Sequence, residues 1–450
     1  MYQVDKDSEL TAELVKDAIE YNELRRARFN HLEHYYLGDH DIMSREKSDT
    51  LSNNKVMVNH AKYIVDVSTG YLLGSPVDYQ VDKDVNIEPV LDNYKRQTIN
   101  NLDVEIAKGC GIFGINYEYV YADEYSQPNS VPLDVRNTII VYDDTMVHNK
   151  LFGINYRPIY KNPRNKTPEY YDVIISTKTN IINCRLSGSL LDPISDQPHA
   201  FGDVPIIEYR NNSEFQGDFE PVISLIDAYN LIQSDRVNDR EQLVDAILCF
   251  YGMNFDAEQM TALKEYRAIS QIPADGKVEY LTKNVNEADV DVLRQNIEKD
   301  IHKISMVPNM SDENFVGNSS GVALSYKLLT FEQKIKNKER GFEKGLMERF
   351  KLYSNFLSRK SEMGNVQIKD VDAVFKRNLP SNDYETSQMI NNLIGTVDKE
   401  LLVSQLSFVK DASETVKIAE EESSSPVDQE YQSNEITDKN TTLDSNSIEG

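Results

Sequence analysis

Residues 199–212 read HAFGDVPIIEYRNN and residues 213–252 read SEFQGDFEPVISLIDAYNLIQSDRVNDREQLVDAILCFYG, and the change of pattern between them is the most informative feature of the chain. The first segment alternates and ends in two asparagines, which predicts a strand that runs into a loop. In the second segment Asp218 and Pro221 are typical of a helix start. Apolar residues then follow at helical spacing: Val222, Leu225, Ile226, Tyr229, Ile232, Val237, Val244 and Ile247.

The middle of this predicted helix is unusually polar. Between Gln233 and Gln242 polar residues occupy nearly every side. A helix that loses its apolar face midway is not an ordinary core helix. We therefore expect this part of the helix to pack against copies of itself or to line water.

Composition limits the classes of protein to which the chain can belong. Its 450 residues are enough for two or three domains with a sizeable core. It carries 48 Lys and Arg against 74 Asp and Glu, a formal net charge of -26. That balance opposes a protein that grips DNA by neutralising phosphates, but it does not oppose one that lets DNA slide past.

The sequence favours a protein of a reducing cytoplasm. The N-terminus, MYQVDKDSEL, lacks the apolar core of a signal peptide. Apolar runs such as Ala246–Phe250 are far shorter than the roughly 20 residues that cross a bilayer. Cys110, Cys184 and Cys249 are isolated and odd in number, so we expect neither a disulfide framework nor a zinc finger.

The first half of the chain predicts an α+β region. Three helices are expected, at residues 9–36 (ending near Gly38), 58–73 and 91–108. A polar linker, residues 44–54, separates the first two helices. From Ile112 to Arg210 the pattern changes to segments rich in Tyr, Ile and Val that are separated by Pro, Asn and Asp, which predicts strands.

The second half predicts a helix from Asn286 to Ser305, a loop over residues 306–320 and then a long helix. The long helix carries one apolar stripe, which spans about 50 Å. The stripe consists of Leu324, Leu328, Phe331, Ile335, Phe342, Leu346, Phe350, Tyr353 and Leu357. A short strand follows, then helices between Tyr384 and Ala419. From Glu421 the chain is acidic, with too little apolar material to fold alone.

No motif in the chain indicates an enzyme. Gly109–Gly114 matches GxGxxG, but it closes a predicted helix and opens a strand, the reverse of a dinucleotide site, so we interpret it as a turn. His31, His34 and His40 lack the spacing of a metal site and are interpreted as a polar helix end. We expect no catalytic residue, no cofactor and no metal.

The predicted long helix is basic within an acidic protein. Lys336, Arg340 and Lys344 recur every four residues and therefore share one face. Two interpretations are open: a solvated face partly paired with Glu332, or a row that faces an acidic neighbour or DNA phosphates. We favour contact with acidic neighbouring surfaces.

Four further segments stand out beside the one quoted first. They are YYLGDHDI at 35–42, NNKVMVNHAKYIVDVSTGYLLGSPV at 53–77, GINYEYVY at 114–121 and VPNMSDENFVGNSSGVALSYKLL at 307–329. Together with FGDVPIIEY, GDFEPVISLIDAYN and SDRVNDREQ, they resemble the portal (head-to-tail connector) proteins of tailed bacteriophages. The resemblance extends from about residue 35 to about residue 407.

The resemblance implies an α+β portal fold, with a helical stem, an α/β wing and clip, and a helical crown. It divides the chain into 1–220 (N-terminal part of the wing), 221–248 (first stem helix), 249–285 (clip), 286–307 (second stem helix), 308–320 (tunnel loop), 321–378 (long helix and strand of the wing), 379–420 (crown) and 421–450 (disordered acidic tail). The tunnel-loop residues expected near DNA are Pro308, Asn309, Asn314, Gly317, Asn318 and Ser319.

The resemblance also implies a place and partners. Portals form rings, usually of twelve copies, at one vertex of the capsid, so we expect a virion protein assembled in the host cytoplasm. The implied partners are double-stranded DNA in the channel, the terminase motor, a head–tail adaptor, and the major capsid and scaffold proteins, without a membrane. The alternatives are a packaging enzyme, for which the motifs are missing, and another head–tail joint or scaffold protein without a DNA channel.

Overall fold

The computed structural model describes residues 1–48, 52–81, 85–162, 164, 167–244, 247–251, 277–281, 287–310, 321–364, 366–377, 383–404, 406, 409 and 412–423. The chain divides into two compact units, Met1–Asn378 and Leu379–Gly450.

Ten α-helices occur in the described ranges. They are α1 (Ala12–Leu37), α2 (His60–Leu73), α3 (Glu88–Gln97), α4 (Ile99–Phe113), α5 (Ile223–Val244), α6 (Glu287–Ser305), α7 (Gly321–Arg359), α8 (Asp383–Leu393), α9 (Lys399–Val403) and α10 (Ala412–Ser423). Short 3₁₀ turns occur at Asp41–Ser44, Glu220–Val222 and Ile368–Asp370.

Thirteen strands occur in the same part of the chain. They are β1 (Tyr2–Val4), β2 (Asp78–Val81), β3 (Ile115–Ala122), β4 (Pro128–Leu133), β5 (Thr138–Asp143), β6 (Lys150–Ile159), β7 (Tyr170–Ser176), β8 (Asn180–Ser187), β9 (Leu190–Pro198), β10 (Ile206–Arg210), β11 (Ile247–Tyr251), β12 (Lys277–Leu281) and β13 (Val371–Val374). The predicted mixture of helix and sheet is confirmed.

The strands form four sheets. The largest has the order β1-β5-β6-β7-β8-β9, and all of its pairs are antiparallel except β1 with β5. Strand β10, which is the alternating segment VPIIEYR, pairs with β3 in an antiparallel sheet that β4 completes. Two further antiparallel pairs join β11 to β12 and β13 to β2.

The first predicted helix is confirmed and the third is wrong. Helix α1 ends at Gly38, whose φ of 96° is the left-handed conformation that glycine adopts readily. The single helix predicted over residues 91–108 is two helices, α3 and α4. Thr98 has a φ of 51° between them, and its N–H bonds back to Lys95 and Tyr94, so the chain changes direction there.

The apolar stripe of α7 is confirmed as the centre of the main core. Every stripe residue from Leu328 to Leu357 is buried, packed with side chains of α2, α3 and α4. The 39-residue helix is about 58 Å long. A second core lies between α1 and one face of the six-stranded sheet, where Val15 and Ile19 contact the strands.

A buried arginine joins α7 to the three-stranded sheet. Arg349 has no exposed surface, and its guanidinium lies 2.6 Å from Asp103 and 2.8 Å from Glu118. The hydroxyl of Tyr209 donates a hydrogen bond to Glu118 at 2.6 Å. Burial raises the pKa of the Asp103 carboxyl, and Arg349 opposes that rise. Two carboxylates therefore compensate one guanidinium inside the core, and the phenol satisfies an oxygen of Glu118.

Two glycines let α7 approach strand β10. A β-carbon at Gly341 would overlap the carbonyl oxygen of Arg210, and one at Gly345 would overlap the ring of Tyr209. The backbone of the helix therefore packs directly on the strand, which only residues without a side chain allow.

The second unit contains α8, α9 and α10. Asp398 caps α9 by accepting hydrogen bonds from the N–H groups of Glu400 and Leu401. The tail boundary predicted at Glu421 falls inside α10, which continues to Ser423 because Ala, Glu and Lys favour a helix. Residues 424–450 of the predicted tail lie outside the described ranges.

We predict that Gly341→Ala destabilises the protein by about 1–3 kcal/mol, because the added carbon meets backbone that cannot rotate away. The matched control is Gly70→Ala, in helix α2, where a β-carbon would meet nothing within 4 Å. This control should be neutral, or stabilising by up to about 1 kcal/mol. Urea unfolding midpoints measure both, and equal midpoints for the two variants would contradict the close packing of α7 on β10.

Candidate functional site at the root of the stem

The predicted tunnel loop follows helix α6. Its first residues are described: the Pro308 carbonyl accepts a hydrogen bond from the Tyr63 hydroxyl at 2.9 Å, and the Asn309 amide donates to Glu298 at 3.2 Å. The remaining predicted loop residues lie outside the described ranges: Asn314, Gly317, Asn318 and Ser319. The same is true of residues 252–276 and 282–285 of the predicted clip, and of Asn286, the predicted start of the second stem helix.

The two predicted stem helices, α5 and α6, lie side by side in opposite directions. Arg240, near the end of α5, pairs with Glu287 at the start of α6 at 2.6 Å. Earlier in α5, the Tyr229 hydroxyl accepts a hydrogen bond from Arg294, further along α6, at 3.4 Å. Ion pairs thus align the two helices.

The predicted ends of the first stem helix, residues 221–248, need correction. Helix α5 begins at Ile223, after the 3₁₀ turn, and ends at Val244. Ile247 and Leu248 belong to β11 and not to the helix. A short apolar run cannot be assigned to helix or strand by periodicity alone, and here antiparallel pairing with β12 makes it a strand.

One polar side of α5 is bound within the same chain. Three buried side chains accept hydrogen bonds from alternate backbone N–H groups of the segment that precedes α2. The pairs are Asn230 with Val58 at 2.9 Å, Ser234 with Val56 at 2.9 Å and Asn238 with Asn54 at 2.7 Å. Four helical residues rise about 6.0 Å and two extended residues about 6.6 Å, so the spacings match. The expectation that this helix meets only copies of itself or water is wrong for this side.

The root of the stem is a buried carboxylate, Asp218, held by two lysines of α7. Lys338 pairs with one carboxylate oxygen, and Lys334 lies 3.2 Å from the other. The Asp218 N–H donates to the carbonyl of Gly111 at 2.7 Å, and the Asn211 amide donates to its side chain at 3.2 Å. Burial alone would raise the pKa of the Asp218 carboxyl, but Lys334 and Lys338 lower it below its ordinary value.

Lys334 also reaches the second stem helix. Its ammonium group donates a hydrogen bond to the carbonyl of Ser305, the last residue of α6, at 2.9 Å. Burial lowers the pKa of Lys334, and Asp218 opposes that change. The start of one stem helix and the end of the other are therefore fastened to the same side chain of α7.

The predicted basic row of α7 is exposed. Lys336, Arg340 and Lys344 all lie on the surface. The interpretation that Glu332 pairs with this row is wrong, because Glu332 lies 3.0 Å from Arg377 instead. Sequence reasoning missed the buried cations of the same helix: Lys334, Lys338 and Arg349. Lys338 and Arg349 lie at positions where the helical spacing of the stripe would place an apolar residue. This is the one sequence feature that could have predicted their burial.

The turn predicted at Gly109–Gly114 is confirmed only at its last residue: α4 continues through Phe113, Gly114 is its left-handed C-cap, and β3 begins at Ile115. Gly111 has a packing role, because a β-carbon there would lie 2.8 Å from the Asp218 carboxylate. His40 is buried, and its ring nitrogens contact the Tyr35 carbonyl and the Asn230 amide. Among the described residues no group of His, Cys, Asp and Glu could hold a metal ion.

A second histidine lies beside the stem root. His60 of α2 packs edge-on against Tyr229 of α5 and His302 of α6, with ring centroids 4.8 and 5.8 Å away. Burial, with smaller contributions from His302 and His40, lowers the pKa of His60 to about 4. The imidazole is therefore neutral in the folded protein at neutral pH.

The described residues thus show two antiparallel helices rooted in an α+β body, the architecture implied for a head-to-tail connector subunit. A family model described as "Phage portal protein, SPP1 Gp6-like" matches residues 16–426. The portal protein of Bacillus phage SPP1 is 25% identical over 422 residues, 86% of this chain and 82% of that protein. The portal protein of Clostridium phage phiCD119 is 24% identical over 440 residues, 91% of this chain and 96% of that protein.

The chain belongs to the phage portal protein family. Its function is that of the family: it is a virion component that provides the channel for phage DNA at the capsid. None of the helices in the described ranges is long and apolar enough to cross a membrane.

We predict that Asp218→Asn destabilises the protein by about 3–5 kcal/mol, because two buried ammonium groups lose their counter-charge. The control is Asp235→Asn. Asp235 also pairs with two cations, Arg45 and Lys47, but is 45% exposed. An exposed pair contributes about 0–1 kcal/mol, so the control should stay near wild type. The free energy of unfolding of both variants is measured at one protein concentration. Equal losses would contradict a larger contribution of the buried Asp218 to stability.

We predict that His60 makes the protein sensitive to mild acid. Its pKa falls from 6.5 to about 4 on folding, so between those values the unfolded chain binds a proton that the folded chain does not. Stability therefore falls as pH drops from 6.5 to 4, by up to about 1.4 kcal/mol per pH unit for one proton. His60→Phe should remove this part of the slope, and Tyr229→Phe, which leaves the imidazole, should keep it. An unchanged slope in His60→Phe would refute the assignment.

Proposed function

We propose that about twelve copies of the chain close into a ring around the DNA, with α5 and α6 of neighbouring copies in contact. The observation that carries this proposal is the apolar surface left on the two stem helices of the single chain. Its exposed members are Leu231 and Val237 of α5 and Val292, Leu293 and Ile304 of α6. Exposed apolar patches on a soluble chain are typical of protein interfaces.

The charge distribution supports a channel that does not grip its cargo. With a net charge of -26 per chain, the ring as a whole repels DNA phosphates at long range, so DNA moves through without strong binding. In this arrangement Lys336, Arg340 and Lys344 contact acidic surfaces of neighbouring copies. Contact of the same row with DNA phosphates is the alternative.

The loop at residues 308–320 is the proposed constriction that approaches the DNA. Pro308 and Asn309 start it from the described end of α6, and the DNA-facing positions are Asn314, Gly317, Asn318 and Ser319. Amide and hydroxyl side chains suit transient contact with a phosphate backbone, since they carry no charge that would trap it. A plain surface turn between two helices is the alternative.

The wider role follows from the ring. The clip at residues 249–285 meets the terminase motor and the head–tail adaptor, the wing contacts the major capsid and scaffold proteins, and the crown at 379–420 faces the capsid interior. Assembly takes place in the host cytoplasm. The protein acts as a structural channel and not as an enzyme, and the motor supplies the chemistry of packaging.

We predict that Leu293→Asp blocks the ring while leaving the subunit folded, because a carboxylate would then lie at the contact between stem helices. Leu293 is 52% exposed in the single chain, and so the change costs the fold little. The control is Leu190→Asp, at a leucine of β9 that is 60% exposed and lies outside the stem. Native mass measurement should show monomers for the first variant and rings for the second. Intact rings from Leu293→Asp would contradict the proposed stem contact.

A further inference from the structure

The segment from Ser305 to Met310 is held to the body of the protein almost residue by residue. The carbonyls of Ser305, Val307 and Pro308 are bound by side chains of Lys334, His302 and Tyr63, each at 2.9 Å. A carbonyl only accepts hydrogen bonds, so Nδ1 of His302 carries the proton in its bond to Val307.

Tyr63 of helix α2 binds this segment twice through one oxygen. Its hydroxyl donates to the Pro308 carbonyl at 2.9 Å and accepts a hydrogen bond from the N–H of Met310 at 2.9 Å. Its ring stands edge-on to His302, with centroids 5.6 Å apart. A hydroxyl has one donor and free acceptor lone pairs, so it can close both bonds, whereas a phenylalanine at this position could close neither.

The backbone of this segment needs such support. Met306 has a φ of 56°, a left-handed conformation that a residue with a side chain seldom adopts. Conformations of this kind persist only where the surroundings fix them, and they cluster at functional sites. Here the surroundings are the three side chains that hold Ser305, Val307 and Pro308.

We propose that Tyr63 is the positioning residue of the channel loop: its hydroxyl fixes the point and direction at which the chain leaves α6 for residues 311–320. This inference rests on the proposed function of that loop. Tyr63 does not touch DNA. It acts through the backbone of Pro308 and Met310.

The test is Tyr63→Phe in the assembled full-length protein, which removes the hydroxyl and keeps the ring against His302. The matched control is Tyr36→Phe. The Tyr36 hydroxyl also makes a hydrogen bond from a partly buried position, to Asp66 at 2.8 Å, but it does not contact the segment. Ring yield, thermal midpoint and hydrogen exchange of a peptide covering residues 306–310 are measured without DNA. DNA packaging is measured separately, in phage that carry each variant.

We expect Tyr63→Phe to form rings with the control's thermal midpoint. Loss of the hydrogen bond that the Met310 N–H donates to the hydroxyl should speed exchange at Met310 by about tenfold. Less DNA should be packaged, while Tyr36→Phe packages normally. Unchanged exchange, or faster exchange with normal packaging, would overturn the positioning role. Failure of Tyr63→Phe to assemble would also overturn it, since the hydroxyl would then be structural. If wild-type rings package no DNA, the proposed function is wrong. The exchange result would still test whether the Tyr63 hydroxyl holds Pro308 and Met310.

Discussion

The structure depends on one buried carboxylate and the two lysines that face it. Asp218 lies between strand β10 and the first stem helix, and its side chain has no exposed surface. Lys334 and Lys338 balance its charge, and they come from the middle of the longest described helix. Burying an ion pair costs desolvation free energy, so the pair adds little net stability. Removing one partner destabilises the fold strongly, because the other charge is left buried and unpaired. The pair therefore fixes which surfaces must meet. Because Lys334 also binds the carbonyl of Ser305, the same point fixes both stem helices.

The rest of helix α7 makes that point rigid. One and two turns beyond Lys338, Gly341 and Gly345 let the helix backbone touch β10, and further on Arg349 lies in a core of carboxylates and tyrosines. In the proposed ring, each subunit must keep its stem in register with its neighbours while DNA passes. Fastening both stem helices to one long helix would serve that requirement, because both are then held by the same element. His60 packs against His302 near the end of α6, and the Tyr63 hydroxyl binds the segment that follows that helix.

The sequence predicted those features that follow from periodicity. The stripe of α7, the end of α1 at Gly38 and the turn before β3 each depend on local spacing, and each is confirmed. The buried cations were missed because a lysine on a helix usually faces water, and only the position of Asp218, over one hundred residues away, makes Lys334 and Lys338 internal. The polar side of α5 was misread for the same reason. It binds backbone N–H groups of the segment before α2, and backbone hydrogen bonds of this kind cannot be predicted from side-chain patterns. The DNA-facing part of the loop stays a prediction.

The most direct test of the account is a near-atomic structure of the assembled ring determined by electron microscopy. The account predicts a closed ring in which residues 308–320 line the axis, with Lys334 bound to both Asp218 and the carbonyl of Ser305 in every copy. It also predicts that Leu293 is buried between neighbouring stems. A ring whose residues 308–320 lie on the outer surface, or whose stem helices leave the body without the Asp218 contact, would contradict it.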